Sequence, residues 1–222
     1  MKKPYLIIIA CVSFAASVAQ TKTCSIPVYG KNDTTLWYTW RKTDAKQMGL
    51  ADLTKSQDSL HFRFWTETQA IEIWTNDFKT YNGLLSNHTE KIEKDDKPRK
   101  FYSNKTAIDT ATARKVYNLF ADNLIFQIPD DKDIKGWDQG FDGEELLMEY
   151  STKTTYSFKR YWTPSAFKEL KEAVVIEKST KDLEVILDME KSWSAFLSEL
   201  PEGCYRAGEM TMTCTDKKKK GK

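Results

Sequence analysis

Hydrophobic and polar positions alternate with period two over Ser59 to Trp65 and again over Ala70 to Asn76, the pattern of half-buried strands. A tight turn near Thr68-Gln69 joins them as a hairpin, with Phe64 paired to Ile73 and Phe62 to Thr75 on one face. The other face then carries His61, Arg63, Trp65, Glu72, Trp74 and Asn76. A third strand is expected around Lys79 to Leu85. The polar stretch Asn87 to Lys105 reads as a solvated loop with at most a short strand at Phe101-Tyr102.

Farther along, Val116, Leu119, Phe120 and Asn123 recur at three- and four-residue spacing and predict a helix over 110–123. Ile125 to Ile128 reads as a short strand stopped by Pro129. A second hairpin follows, Glu144 to Ser151 and Thr154 to Trp162, turning near Thr152-Lys153. Thr163-Pro164 is a helix-start signal, because threonine caps and proline suits the first helical position. Phe167, Leu170 and Val174, then Leu183, Ile186 and Leu187, keep helical spacing. Asp188 is placed to cap a last helix carrying Trp193, Phe196, Leu197 and Leu200, ended by Pro201 and Gly203. Strands, helix, strands, helices is an α+β order. The expectation is a single domain with a mostly antiparallel sheet of hairpins covered by helices.

The N-terminus changes the picture of where such a domain resides. Met1-Lys2-Lys3 precedes an apolar run from Tyr5 to Ala16, and Ser17-Val18-Ala19 offers small residues where a signal peptidase reads. This predicts a signal peptide over 1–19, a domain over 20–215 and a basic tail over 216–222, with the mature chain exported to a periplasmic or extracellular setting. A rival reading makes Ile8-Ile9-Ala10-Cys11 a lipoprotein box with Cys11 lipidated. No later stretch is apolar enough to span a bilayer. Export permits disulfides. Cleavage after Ala19 leaves Cys24, Cys204 and Cys214, so at most one pair forms within a monomer. Cys204 and Cys214 are close in sequence, and Cys24 replaces either one if the chain ends meet.

Charge narrows the function classes. The chain of 222 residues has 34 basic and 32 acidic residues, a net charge of +2. That balance argues against nucleic acid, whose binding rests on neutralising phosphates. No phosphate-cradling glycine loop, Gly-X-Ser-X-Gly, His-Glu-X-X-His or Cys-X-X-Cys is present.

Two constellations carry candidate chemistry. From Asp138, "DQGFDGEELLME" places Asp138, Asp142, Gly143 and Glu149 at positions 1, 5, 6 and 12 of a calcium loop. Gly140 at position 3 and Glu145 at position 8 break the motif, and a strand follows where a helix belongs. The competing reading is a turn feeding the second hairpin, with Trp137 as a lid. Calcium is the one cofactor the sequence brings into consideration. The second constellation is the polar-aromatic hairpin face, Arg63, Trp65, Glu72 and Trp74, where a flat sugar face would stack or paired carboxylates would hydrolyse a glycan. The competing reading packs this face under helices, with Arg63 over Trp74 as a cation–π pair. The acidic cluster Asp130, Asp131 and Asp133 reads as a solvated loop, with a cation site as the alternative.

"IKGWDQGFDG", "EYSTKTTYSFKRYWTPSAFKE" and "LPEGCY" resemble patterns in small uncharacterised exported proteins of Bacteroidetes-type bacteria, over about Leu124 to Tyr205. The resemblance implies a Gram-negative envelope setting. It also implies a structural role for Trp137, Gly140, Asp142, Gly143, Tyr161 and Trp162. It implies no catalytic residues. Together these readings give an exported binding or interaction module with a protein or glycan partner. A carboxylate-based glycan hydrolase and a calcium-stabilised domain are the alternatives.

Overall fold

Three helices and a dry apolar layer lie on one face of a nine-stranded sheet, and one helix lies on the other over a layer that mixes apolar and charged side chains. The computed structural model describes residues 21–29, 33–34, 36–93, 100–138, 140, 142–208 and 211–215. The readings that fall on the signal peptide, Cys11 and the basic tail lie outside these residues.

The strands are β1 (Thr23–Ser25), β2 (Val28–Tyr29), β3 (Asp33–Thr34), β4 (Leu60–Trp65), β5 (Gln69–Thr75), β6 (Asn82–Lys91), β7 (Lys100–Ile108), β8 (Glu145–Ser151), β9 (Thr155–Trp162), β10 (Gly203–Arg206) and β11 (Met212–Thr215). The helices are α1 (Leu36–Met48), α2 (Thr110–Asp122), α3 (Lys171–Leu187) and α4 (Met189–Glu199). The main sheet runs β1-β9-β8-β4-β5-β6, and β7 pairs with the outer side of β6. β10 and β11 join where β6 outruns β5, at Tyr205 opposite Lys91. All pairings are antiparallel except β1 with β9. β2 and β3 form a separate two-stranded ribbon. This is the expected α+β class, and among the described residues no helix is long and apolar enough to cross a membrane.

The dry face explains why the apolar pattern was readable. Phe62, Phe64, Ile71, Ile73, Leu146 and Met148 point to one side and meet Ala113, Val116 and Phe120 of α2 and Ala173, Ile176 and Leu183 of α3. The α2 start is capped by Asp109, whose carboxylate accepts from the backbone N–H groups of Ala111 and Thr112.

Several expectations are corrected. The first hairpin pairs Phe62 with Ile73 and Phe64 with Ile71, two residues out of the expected register. A slip of two keeps every side chain on its face. The third strand starts at Asn82 and runs on to Lys91, and the supposed loop from Asn87 holds most of the β6–β7 hairpin. Its polar side chains suit an edge strand that water reaches. Ile125–Gln127 is a 3₁₀ turn, not a strand, and Thr163-Pro164 opens only the 3₁₀ turn Pro164–Ala166. α3 starts later, at Lys171. Asp188 precedes α4 in a left-handed conformation without a side-chain cap bond. Asp130 and Asp131 are buried rather than solvated. Their carboxylates accept the backbone N–H groups of Arg160 and Trp162, sealing the end of β9. Cys204 and Cys214 are bonded across β10 and β11, and Cys24 is free and exposed on β1.

Residues 142–144 bring the chain into β8 beside an aromatic wall of Trp137 and Trp162. The Trp137 indole N–H donates to the Trp162 carbonyl at 2.8 Å, and Thr163 Oγ1 accepts from the Glu144 backbone N–H at 3.0 Å. A methyl added at Gly140 would meet the Trp162 ring at 2.2 Å. Gly140→Ala is therefore expected to lower the urea midpoint by an amount equivalent to about 1–3 kcal/mol, the range for forced overpacking. An unchanged midpoint would show that the segment does not depend on this contact.

Candidate functional site

On the α1 face, the strand register lays a row of side chains across the sheet. Arg63 sits opposite Glu72 on β5 and opposite Glu149 on β8, and Glu149 sits opposite Phe158 on β9. The guanidinium therefore lies between two carboxylates, with Nη2 2.6 Å from Glu72 Oε1 and Nη1 2.9 Å from Glu149 Oε1. Nη2 also donates to the Ala51 carbonyl, which pulls the segment after α1 onto the sheet. Glu149 further accepts from the Trp65 indole N–H at 2.9 Å and the Tyr156 hydroxyl at 3.2 Å. Beyond Glu72 the row continues through His61, 3.3 Å from Glu72 and 3.1 Å from Asp58.

This arrangement places the residues named from sequence. Arg63, Trp65 and Glu72 share the buried face, brought together with Glu149. Trp74 is only half-buried and rests on the His61 ring at 5.5 Å. The expected stacking of Arg63 on Trp74 is corrected: Arg63 lies over Trp65, 5.4 Å from the ring centroid. Asp138 and Asp142 are exposed at the turn, whereas Glu149 is turned into the Arg63 network. Among the described residues no group of three acids, histidines or cysteines is arranged to hold a metal ion.

The chemistry open to the row follows from its charge. Hydrogen bonds from His61 and the Arg63 charge hold the Glu72 carboxyl below its ordinary range despite the opposing effect of burial. A general acid for glycoside hydrolysis needs the reverse shift. Glu72 and Glu149 thus serve as counter-ions to Arg63.

Openings to solvent lie on either side of α1. One, of about 200 Å³, is lined by Tyr38, Lys42, Leu50 and Phe158 and reaches Arg63 and Glu149. The other, of about 400 Å³, lies between α1 and the β6–β7 part of the sheet. Trp37, Trp40 and Phe101 give it aromatic walls, with Arg41 and His88 among its polar residues. Trp40 is 50 % exposed and meets Trp37 edge-on at 5.1 Å. Arg41 is buried over Trp65, 5.2 Å from its ring, bonded to Asp44 at 3.1 Å and to the Thr66 carbonyl at 3.3 Å. His88 stacks on Phe101 at 6.0 Å and meets Trp65 edge-on at 5.8 Å. Burial and the nearby Arg41 charge lower its pKa to about 3, so the imidazole is neutral at physiological pH.

Sequence reasoning missed Trp37, Trp40, Arg41, His88 and Phe101. The missing signal was α1 itself, whose inward positions Arg41, Ala45 and Met48 hold helical spacing but begin with a charge. Compared with known proteins, the chain matches no protein-family model and no curated sequence.

Arg63→Met would leave two buried carboxylates facing each other and is expected to cost about 3–5 kcal/mol in urea unfolding. Adding Glu72→Gln should recover part of that loss. A cost within error of zero for Arg63→Met would refute the counter-ion role. For His88, the unfolded chain takes up a proton below about pH 6.5 while the folded chain does not. Folded stability therefore falls as pH drops from 6.5 toward 3, by up to about 1.4 kcal/mol per pH unit from this residue. His88→Phe should remove that slope, so the difference between variant and parent widens on acidification. A difference constant from pH 7 to 4 would contradict a neutral His88.

Proposed function

We propose that the protein is an exported binding module of the bacterial envelope, holding a small ligand in the larger cleft beside α1. The observation that carries this reading is Trp40, half exposed at the rim of a cleft of about 400 Å³. The cleft sets the rings of Trp37, Trp40 and Phe101 among charged and polar side chains, and small-ligand sites likewise combine concave apolar surface with placed polar groups. A tryptophan left open at a concavity offers contact area that the fold itself does not consume. Export is supported by the lysine-led apolar N-terminus, by the Cys204–Cys214 disulfide and by the resemblance to exported Bacteroidetes-type proteins. The paired state of the buried acids favours binding over hydrolysis.

The test is thermal unfolding of the chain from Gln20 onward against separate panels of sugars, amines, carboxylic acids and short peptides. A ligand that binds only the folded state raises the midpoint, by an amount equivalent to about 2.7 kcal/mol at a hundredfold excess over its dissociation constant. At least one class is expected to raise it, and Trp40→Ala should abolish the rise. Failure of every class would remove the binding reading.

A further inference from the structure

A third opening, of about 590 Å³, lies where the β4–β5 turn, the junction of α3 with α4 and the end of β10 meet. Its wall carries Glu67, Glu144, Glu184, Asp188 and Glu190, and among the described residues no lysine, arginine or histidine lines it. Lys191 lies 3.7 Å from Asp188, and Glu67 has its own interaction partner. The cation that acts on both Glu144 and Glu184 is Lys181, and Glu177 holds it at 2.8 Å. Burial and the charges of Glu177, Glu67 and Glu184 keep the Glu144 carboxyl above its ordinary range. Burial and Glu177 do the same to Glu184. Negative charge is crowded here, and an incoming positive charge relieves several carboxylates at once.

The spacing of the acids decides what kind of cation fits. Among the described residues no three of them are arranged to hold a metal ion. They come instead from separate segments: the β4–β5 turn, the start of β8, the end of α3 and the start of α4. A point charge meets one or two of them, whereas a run of charges meets them all. The chain carries such a run, Lys217 to Lys220 with Lys222. Lysine stems also lie on apolar surface while their heads stay in water. Val185, 82 % exposed, and Trp193 offer that surface beside the acids.

The run is tethered within reach. β11 ends at Thr215, opposite Gly203, and β10 leads from there toward Ala207 in the wall of the cleft. At strand spacing Ala207 is about 13 Å from Gly203. An extended chain covers about 3.3–3.6 Å per residue, so Lys219, Lys220 and Lys222 reach the rim once the chain doubles back.

We propose that this acidic cleft is a docking surface for a lysine-rich segment, filled in the free protein by its own residues 216–222. Each exposed ion pair contributes little, but the tether holds the tail at a millimolar effective concentration. A lysine-rich segment of a partner then binds only by displacing the tail. The assignment involves neither α1 nor the larger cleft, so it stands or falls apart from the binding-module reading.

The experiment uses the chain from Gln20 onward in two forms, the parent and a tail variant with Lys217→Gln, Lys218→Gln, Lys219→Gln and Lys220→Gln. A synthetic peptide of residues 216–222 is titrated into each and followed by calorimetry. Glu184→Gln with Glu190→Gln, placed in the tail variant, removes two acids of the cleft. Asp122→Asn with Glu169→Gln, at exposed positions outside it, is the control. Thermal unfolding checks that every form folds, and sedimentation gives its size. The tail variant is expected to bind the peptide, and the parent about tenfold or more weaker because its cleft is filled. The cleft variant should lose about tenfold and the control nothing. Raising salt from about 0.05 to 0.5 M should remove the binding, and needs no cleft variant to be read. Equal binding by parent and tail variant would overturn occupancy by the tail. Binding that the cleft variant or high salt leaves intact would overturn the acidic surface as its seat. A parent that is dimeric, and monomeric in the tail variant, would put the tail in a second copy and overturn the assignment within one chain. No binding of the peptide by the tail variant would overturn the proposal whole.

Discussion

The Arg63 guanidinium between Glu72 and Glu149 is the interaction on which the α1 face depends. Three charges on three neighbouring strands are buried together, and each is costly to bury alone. The planar fork of arginine lets one residue meet both carboxylates, with a donor left for the Ala51 carbonyl. That last bond ties the roof to the sheet. Trp65 and Tyr156 then complete the Glu149 acceptors, so the row also orients the rings beneath α1.

The same row explains what the hydrophobic pattern left undecided. Period-two alternation identifies faces but not register, since a shift of two residues preserves both faces. In the register expected from the pattern, Arg63 opposes Trp74 and Glu72 opposes Trp65. In the folded protein Arg63 opposes Glu72. The apolar face scores the two alternatives alike; only the first leaves a buried carboxylate without its cation. Ionic groups here act on register, a role best attested where packing alone is degenerate.

Legibility followed burial type. The dry face was readable because α2, α3 and their strands present apolar residues at regular spacing. The other face was legible in part: alternation grouped Arg63, Trp65 and Glu72 on one side and allowed it to lie under a helix, but Arg41, His88 and Glu149 were missed as its inward partners because a hydropathy pattern assigns them to water. β7 failed as a prediction for the same reason, Lys100, Asn104 and Lys105 marking an edge rather than a loop. Glu149 was singled out, but as the twelfth position of a metal loop. Its position in β8 directs it instead to Arg63. Asp130 and Asp131 show the local version of the error: acids beside a proline signal a turn, and here the turn folds back to accept two backbone donors.

A sheet with one dry face and one charged face divides its work. The dry face supplies burial, which scales with apolar area and is indifferent to small shifts in position. The charged face supplies position, because hydrogen bonds to ionised groups weaken quickly with distance and angle. α1 docks through Ala45 and Met48, which join an apolar cluster with Trp65, Leu147, Tyr156 and Phe158, and it is positioned by Arg41 and by the segment bound to Arg63. A roof held by this small apolar cluster together with polar anchors leaves a cleft on each of its two sides. Their walls inherit the precision of the network beneath: Trp65, fixed by Glu149, is the surface against which both Arg41 and His88 are held. Truncating Trp65 would therefore disturb the larger cleft from below, although Trp65 itself does not line it.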